Sequence, residues 1–248
     1  MIRIRGLRKK LGTKQVLDGV NLDIPTGCTM VIMGRSGTGK SVLLRHIIGL
    51  MQPDEGTIEV EGEIVTGLRE QELNEVRKRF GMLFQSSALF DSLTVGENIA
   101  LPMREHTRQP EAEILRRASE RLEWVGLRGV EDMKPASLSG GMRKRVGLAR
   151  AIAMDPAYIL YDEPTTGLDP IMSDVINKLI RSLQARIGVT SIVVTHDLHC
   201  AWQVGDRMAL LHDGKVEFTG STSEARETSD PLVKQFIEGT SEGPIHAV

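Results

Sequence analysis

The stretch GRSGTGKS at residues 34–41 places glycines, a lysine and a serine at fixed spacing between an apolar run and a helical pattern. Glycines let the backbone curl so that its N–H groups and the positive end of the next helix face an anion. A lysine at this spacing reaches phosphate oxygens, and the serine hydroxyl can bind Mg²⁺. The stretch therefore predicts a phosphate-binding loop. Its residues are Gly34, Arg35, Ser36, Gly37, Thr38, Gly39, Lys40, Ser41 and Val42.

Two acidic residues, Asp162 and Glu163, follow the apolar run YILY. A carboxylate at the end of a buried strand can hold the Mg²⁺ that accompanies a bound triphosphate, which is the role predicted for Asp162. Glu163 is next in line and is predicted to polarise the attacking water. The alternative is a strand capped by two solvated carboxylates, and the phosphate loop with its serine argues against it.

The segment LSGGMRKRVGLARA at 138–151 resembles the signature motif of ABC-type ATPases, and it lies shortly before the YDEP strand, as in that family. The resemblance implies that Ser139, Gly140 and Gly141 begin a helix that caps the γ-phosphate of ATP held by a second copy of the chain. A helix N-terminus suits an anion for physical reasons. Two copies would then sandwich two ATP molecules as a homodimer.

The remaining motifs also follow the order of that family. Gln85 in LFQ resembles the Q-loop glutamine, Asp169 in GLDP the D-loop residue, and His196 in VVTHD the switch histidine. The resemblance implies that Gln85 contacts Mg²⁺ or the attacking water, that Asp169 shapes the dimer seam and that His196 contacts the γ-phosphate. The implied cofactors are ATP and Mg²⁺. The implied catalytic residues are Glu163 and His196, and the implied metal ligands are Ser41, Gln85 and Asp162.

Strand and helix signals alternate along the 248 residues, which predicts an α/β fold with a largely parallel sheet. By the resemblance, the fold is a RecA-like P-loop NTPase, an ABC nucleotide-binding domain with an antiparallel β subdomain and an inserted helical subdomain. We expect the ATPase domain at 1–220, its helical subdomain at about 86–150, and a C-terminal extension at 221–248.

Apolar periodicity adds local predictions. Hairpins are expected at 58–65 and 208–218, and Gly126 and Gly188 are expected to end helices. The first hairpin should bury Ile58, Val60 and Ile64 on one side. The residues expected to share helix faces are Ile114, Leu115, Ala118, Leu122 and Val125 in one helix, and Val175, Ile176, Leu179, Leu183 and Ile187 in another. In the C-terminal extension, an apolar edge is expected to contact the second copy or an accessory subunit before a frayed end; its residues are Leu232, Val233, Phe236 and Ile237.

Composition narrows the class of protein. The formal net charge is -2, so no basic excess points to nucleic acid. Cys28 and Cys200 have no CxxC partner and read as packing residues in a reducing cytosol. The basic start leads into no long apolar run, and no apolar stretch approaches the roughly 20 residues that cross a bilayer. A membrane task therefore needs another chain to cross the membrane.

Three patterns suggest functions that the sequence does not support. The HDLH pair, His196 and His199, lacks a clear third metal ligand. The basic run MRKR at 142–145 is read as a solvated helix face, and NKLI at 177–180 lacks the aspartate of a guanine-reading element. The chain also departs from the ABC pattern, because no Phe, Trp or Tyr precedes Phe80 to stack on adenine. We expect triphosphate contacts to dominate binding.

A narrower resemblance is to the ATPase subunits of MCE-type lipid transporters, the Mla phospholipid system in particular. It rests on the stretch at 82–107, LSGGM with Met142, VGLRG at 125–129 and QFIEGTSEGP at 235–244. It implies phospholipid movement between the inner and outer membranes, with the chain peripheral on the cytoplasmic face of the inner membrane. The implied partners are a transmembrane permease, an MCE-domain protein and, in some systems, a STAS-domain subunit. Ser87 stands where relatives often have glycine.

The permease is expected to dock on the stretch that follows Gln85, beside Leu89, Phe90, Leu93 and Val95, although some of these side chains should pack in the core. Three other functions stay open. The first is an ABC ATPase for another cargo, such as an amino acid or an organic solvent, because no residue here contacts cargo. The second is a non-transport role in DNA repair or translation, and the third is a binding module without hydrolysis.

Overall fold

The computed structural model describes residues Met1 to Ile245. The elements run along the chain as β1 (Ile2–Leu11), β2 (Lys14–Ile24), β3 (Thr29–Met33), α1 (Lys40–Ile47), β4 (Glu55–Val60), β5 (Glu63–Ile64), α2 (Glu70–Arg77), β6 (Phe80–Leu83), α3 (Val95–His106), α4 (Glu111–Trp124), α5 (Gly140–Ala151), β7 (Tyr158–Asp162), α6 (Pro170–Ile187), β8 (Thr190–Thr195), α7 (Leu198–Val204), β9 (Arg207–His212), β10 (Lys215–Ser221), α8 (Thr222–Glu227) and α9 (Pro231–Glu238). A short 3₁₀ turn, Pro135–Ser137, precedes α5. Within the described part of the chain, no helix is both long and apolar enough to cross a membrane.

The chain forms two compact units, and the first joins Met1–Leu73 to the chain from Ile192 onward. It contains an antiparallel sheet of order β2-β1-β4-β5, and strands in the order β10-β9-β3-β8. β3 runs parallel to β9, with Met33 opposite Leu210, so the residues that follow these two strands emerge side by side. The phosphate loop follows β3 and therefore lies beside the end of β9.

The second unit, Asn74–Ser191, pairs β6 and β7 in parallel, with Phe80 opposite Tyr158. The rings of these two residues stack with centroids 4.9 Å apart. Parallel strands present their carboxyl ends at one edge of a sheet, so the residues after β6 and after β7 meet there. The elements from 86 to 150 are helices and the short 3₁₀ turn, in keeping with the helical content predicted for this stretch. The domain boundaries remain predictions.

Both expected hairpins form, because β4 pairs antiparallel with β5 and β9 with β10. The prediction that Ile64 is buried beside Ile58 and Val60 is wrong, since Ile64 is 56% exposed. Its partner across the hairpin is Glu59, so Ile64 lies on the face opposite Val60. β5 has only two residues, too few for apolar alternation to assign its face.

The two amphipathic helices are confirmed, and both Gly126 and Gly188 follow helix ends with positive φ angles of 72° and 64°. Four of the side chains expected to share these faces are not fully buried. Leu115 on α4 is 46% exposed. On α6, Val175, Leu179 and Ile187 are only partly buried, while Ile180 is buried. α6 begins at Pro170, five residues before Val175, the first residue of its apolar pattern, and Asp169 is its N-cap.

The C-terminal run forms α9, with Asp230 as its N-cap and Gly239 in the left-handed conformation at its end. The expected fraying does not begin at Gly239, because the Gln235 side chain donates to the carbonyl of Ile245 at 2.9 Å and accepts from its N–H. Val233 is buried within the chain, which removes it from the predicted contact edge. Residues 246–248 of the predicted extension lie outside the described residues.

Candidate functional site

The predicted phosphate loop connects β3 to α1, which begins at Lys40 with Gly39 as its N-cap at φ 101°. A Cβ added at Gly34 would collide with the carbonyl oxygen of Leu211, and one at Gly39 would lie 2.9 Å from Cγ1 of Val16. Both positions therefore require glycine. The loop owes its shape to close packing against β2 and β9 as well as to backbone freedom.

Lys40 fixes a positive charge inside this loop. Its side chain is buried, and Nζ donates to the carbonyl oxygens of Gly34 at 2.8 Å and Arg35 at 3.0 Å. The Thr38 hydroxyl donates to the same Arg35 carbonyl at 2.9 Å, which closes the turn. A buried ammonium at the start of a helix, next to glycine N–H groups, is an arrangement suited to phosphate.

A cleft of about 530 Å³ adjoins the loop in the same unit. Its lining residues are Lys14, Gln15, Val16, Arg35, Ser36, Gly37, Thr38, His212, Asp213 and Gly214. The lining holds no Phe, Trp or Tyr, in agreement with the departure seen in the sequence. His212 is a ring that sequence analysis missed, because only the parallel pairing of β3 with β9 brings it beside the loop.

His196 lies at the carboxyl end of β8 and is exposed, while the strand before it is buried. The next residue, Asp197, caps α7 by accepting from the N–H of His199 at 2.9 Å, and its own N–H donates to the hydroxyl of Thr195 at 3.0 Å. These two bonds shape the turn from strand to helix at the position of His196.

The two carboxylates of the second unit stand at the end of β7. Asp162 is the last residue of that buried strand, and Glu163 follows it with φ 49°, a left-handed conformation that is strained for a residue with a side chain. The Thr166 hydroxyl donates to the Glu163 carboxylate at 3.3 Å. Such strain concentrates at functional positions, because the surrounding structure must hold it.

Gln85 lies two residues after β6 with an exposed side chain, and its backbone carbonyl accepts a hydrogen bond from Lys144 at 2.6 Å. The ammonium of Lys144 also donates to the carbonyl of Glu163 at 3.2 Å. The prediction that MRKR forms a solvated basic face is therefore wrong at Lys144, which is 5% exposed. Burial lowers the pKa of Lys144 to about 8, against the opposing effect of the Asp162 and Glu163 carboxylates.

Arg150 is a second basic residue of α5 that sequence analysis missed. Its guanidinium donates to the carbonyls of Ser87 and Ala88, both at 2.7 Å, and burial lowers its pKa. Lys144 and Arg150 lie six positions apart on α5. Nothing in the sequence indicates that either side chain bonds the segment after β6, which lies about 60 positions earlier. Apolar periodicity indicates the buried face of a helix from its apolar residues. Lys144 and Arg150 are cations on a buried face, so this pattern does not reveal them.

The signature segment begins α5, with Ser139 as N-cap accepting from the N–H of Met142 at 3.2 Å. Ser139 and Gly140 are exposed, whereas Gly141 is buried. The end of the Met172 side chain lies so close to Gly141 that an added Cβ would overlap it. Asp169 caps α6 in the same manner, accepting from two backbone N–H groups at 3.0 Å. The helix start at Ser139 is thus open to solvent, as an anion-capping role requires.

An apolar groove of about 560 Å³ lies in the second unit beside the Gln85 segment. It is lined by Phe80, Gly81, Met82, Phe84, Ala88, Phe90, Leu101, Pro102, Glu105, His106, Arg150, Ala151 and Met154. We call it the Phe90 groove, because Phe90 is 52% exposed there. Val95 is buried, as expected for some residues of the stretch that follows Gln85. Phe90 is the large side chain of that stretch that lies at the surface.

The family model for ABC transporters matches residues 17–166, more than half of the chain. The chain belongs to the ABC transporter family. It is an ATPase of that family, and it binds ATP. Its two units carry the α/β P-loop NTPase fold of ABC cassettes.

Three relatives place the chain within the family. It is 43% identical to the intermembrane phospholipid transport system ATP-binding protein MlaF of Haemophilus influenzae, over 99% of this chain and 93% of that protein. It is also 43% identical to the "Probable ribonucleotide transport ATP-binding protein mkl" of Mycobacterium leprae, over 98% of this chain and 70% of that protein. The dimeric post-hydrolysis structure of the ATP-binding cassette MJ0796 with ADP and Pi is 36% identical, with a TM-score of 0.82 over 89% of this chain and 98% of that one.

Proposed function

We propose that this ATPase powers phospholipid transport between the inner and outer membranes. The observation that carries the proposal is the match to the Haemophilus influenzae phospholipid transport subunit, 43% identical over 99% of this chain and 93% of that protein. A match along both chains includes the stretch at 82–107 and the C-terminal run, the parts on which the sequence resemblance rests.

Ribonucleotide transport is the second candidate. The Mycobacterium leprae protein, named for that cargo, is equally identical to this chain at 43%. A cassette subunit holds ATP and a partner surface and does not contact cargo, so identity alone does not separate the two. The difference lies in the partners, and the experiment below identifies them directly.

Within each unit we assign roles to the residues described above. In the first unit, the loop from Gly34 to Val42 binds the triphosphate, with Lys40 on its oxygens, and His196 contacts the γ-phosphate. In the second unit, Glu163 polarises the attacking water and Gln85 senses the nucleotide. Ser139, Gly140 and Gly141 cap the γ-phosphate held by a second copy, and Asp169 shapes the seam between copies. The exposed start of α5 supports the capping role.

Mg²⁺ is the metal we propose with ATP. Mg²⁺ takes oxygen ligands, and the chain offers them as the Ser41 hydroxyl, the Gln85 amide oxygen and the Asp162 carboxylate. Asp162 ends a strand that is buried throughout, a fixed position suited to a metal-holding carboxylate. When bound, the metal would neutralise charge on the phosphate oxygens.

The Phe90 groove is the surface we propose for the permease. It is apolar, and its lining includes Phe84, so an occupant would contact the residue next to Gln85, the residue proposed to sense the nucleotide. Apolar grooves with an exposed aromatic side chain are typical of protein contacts. Docking there would hold the chain at the cytoplasmic face of the inner membrane as a peripheral subunit. An MCE-domain protein and a STAS-domain subunit complete the proposed assembly of two ATPase copies.

The test is to purify the tagged chain from native membranes in mild detergent and to identify the proteins and lipids that accompany it by mass spectrometry. We expect a permease, an MCE-domain protein and bound phospholipid. Recovery with a nucleotide-binding periplasmic partner would instead establish the second candidate. Recovery with no membrane protein would reject both transport proposals while leaving the ATPase unaffected.

Two matched variants locate the docking surface in the same experiment. Phe90→Asp places a charge in the Phe90 groove, and Leu115→Asp does the same at another exposed apolar side chain of the second unit, 46% exposed on α4. Loss of the permease from the Phe90→Asp variant alone supports the groove. Equal recovery from both variants would place the contact elsewhere.

A further inference from the structure

A single buried ammonium joins two segments of the second unit that lie about 80 residues apart in sequence. Lys144 on α5 is 5% exposed, and its Nζ donates to the carbonyl of Gln85 at 2.6 Å and to the carbonyl of Glu163 at 3.2 Å. Both bonds reach the backbone, so the side chains of Gln85 and Glu163 stay available for other contacts. The lysine therefore supports both segments without occupying their functional groups.

Burying an ammonium is unfavourable unless hydrogen bonds and opposite charges compensate. Hydrogen bonds from a charged donor are about twice as strong as neutral ones, which suits carbonyls that must be held in place. The carboxylates of Asp162 and Glu163 supply negative charge near Lys144. An apolar side chain at position 144 would fill the same space on α5 without the desolvation cost. It would, however, form no hydrogen bond with the carbonyl of Gln85 or the carbonyl of Glu163.

Both segments joined by Lys144 contain residues in the left-handed conformation. Glu163 has φ 49°, and two residues after Gln85 the chain passes through Ser87 at φ 64° and Ala88 at φ 45°. Left-handed conformations are unfavourable for residues with side chains, because Cβ comes too close to the following carbonyl oxygen. The carbonyls of Ser87 and Ala88 are held by Arg150, also on α5. Two side chains of α5 therefore form hydrogen bonds with both ends of the segment 85–88.

Gly147 completes this face of α5, because a Cβ there would lie 2.7 Å from Cδ1 of Leu83 and 3.3 Å from Cβ of Ser87. The helix therefore lies close to the Gln85 segment along three positions at three-residue spacing, 144, 147 and 150. Lys144 differs from the other two because it also reaches the chain after β7.

We propose that Lys144 is a positioning residue that ties the peptide of Gln85 to the peptide of Glu163, so that a displacement of one segment moves the other. In this proposal Lys144 acts through Glu163, whose carbonyl it bonds. The inference rests on the roles proposed above for Gln85 and Glu163. It adds a direct mechanical link between the residue proposed to sense the nucleotide and the residue proposed to polarise water.

The experiment measures ATP hydrolysis by the chain purified with its membrane partners. Lys144→Met removes both hydrogen bonds and is expected to lower kcat by roughly 10- to 100-fold, the loss that follows small misplacement of a catalytic group. KM for ATP should stay within about twofold, because the phosphate loop is unchanged. Lys144→Gln keeps two N–H donors on a shorter side chain and should retain more activity than Lys144→Met. Arg145→Met is the matched control, since Arg145 bonds the carbonyl of Gly126 instead.

A second measurement separates positioning from a general structural effect. In the background of Glu163→Gln, adding Lys144→Met should leave the residual single-turnover rate unchanged, because the group through which Lys144 acts is already disabled. If Lys144→Met is recovered unfolded, the same comparison uses Lys144→Gln, whose kcat should still fall several-fold with KM unchanged.

Three outcomes overturn the inference. They are a normal kcat in Lys144→Met and Lys144→Gln, a loss confined to KM, and an equal further loss in the Glu163→Gln background. If Glu163→Gln itself hydrolyses ATP normally, the proposed role of Glu163 fails and the link fails with it. If Glu163→Gln is inactive and both Lys144 variants are normal, the inference about Lys144 alone is rejected.

Discussion

The phosphate loop and the Glu163 region hold their functional groups in different ways. In the loop, Lys40 bonds the carbonyls of Gly34 and Arg35, six and five positions away. Around Glu163, the contacts of Lys144 reach across 19 and 59 positions. The hydrogen bonds of Lys40 in the first region are local, although the loop glycines also pack against β2 and β9. The hydrogen bonds of Lys144 in the second region depend on tertiary structure, because they reach the segments after β6 and β7.

This contrast explains what the sequence could and could not predict. The place of the loop between β3 and α1 was predicted, because its glycines, lysine and serine follow one another at fixed spacing in residues 34–41. Its binding of phosphate stays a prediction. Lys144 and Arg150 were missed because their partners are backbone carbonyls, which carry no sequence signal. A basic run on a helix reads as a solvated face until the packing of that helix is known.

The fold shows the same division. The amphipathic helices and both hairpins were predicted, since their apolar periods are local. The errors at Ile64 and Leu115 arose where the period was too short or the apolar face too wide to decide which side is buried. The start of α6 at Pro170 was missed, because Asp169 was interpreted only as a residue of the seam between two copies. Its side chain also caps the helix by accepting from two backbone N–H groups.

The largest expected effect comes from the region held by tertiary contacts. Glu163→Gln removes the carboxylate that polarises water, and hydrolysis should fall by roughly 10²- to 10⁴-fold, the contribution of a positioned general base. ATP binding should persist, because the loop lies in the other unit. Hydrolysis by steady-state assay and ATP affinity by equilibrium titration measure the two separately. An unchanged hydrolysis rate would reject the catalytic role of Glu163.

The next effect tests whether the loop depends on shape alone. Gly34→Ala should weaken ATP binding by at least about tenfold, or 1.4 kcal/mol, because its Cβ meets the carbonyl of Leu211. Gly37→Ala is the matched comparison, since Gly37 has φ 79° but its Cβ would meet nothing within 4 Å. It should cost only the left-handed strain of about 1 kcal/mol. Equal losses in the two variants would show that packing against β9 is unimportant.

A smaller effect concerns the cleft beside the loop. Without a Phe, Trp or Tyr ring among its lining residues, ATP and GTP should bind with affinities within about tenfold of each other. Lys14→Tyr adds a ring there and should strengthen binding of both nucleotides, by at most the roughly 1–3 kcal/mol of base stacking. Lys14→Met controls for loss of the charge. Discrimination of ATP from GTP beyond about a hundredfold would mean that other groups read the base.

The smallest effect lies behind the loop, on α1. Burial lowers the pKa of His46 below the ordinary value of 6.5, against the opposing effect of the hydrogen bond that its Nδ1–H donates to the carbonyl of Val42 at 2.7 Å. As pH falls through 6.5, the unfolded chain gains a proton at His46 while the folded chain does not, and the free energy of unfolding decreases. His46→Leu should therefore lose part of the difference in denaturation midpoint between pH 7.5 and pH 5.5, whereas His199→Gln, at an exposed position, should keep it. If both variants keep the full difference, the acid sensitivity arises elsewhere. A reduced difference in His46→Leu alone would show that the helix bearing Lys40 is itself held by a local contact, in line with the loop and in contrast to the region of Glu163.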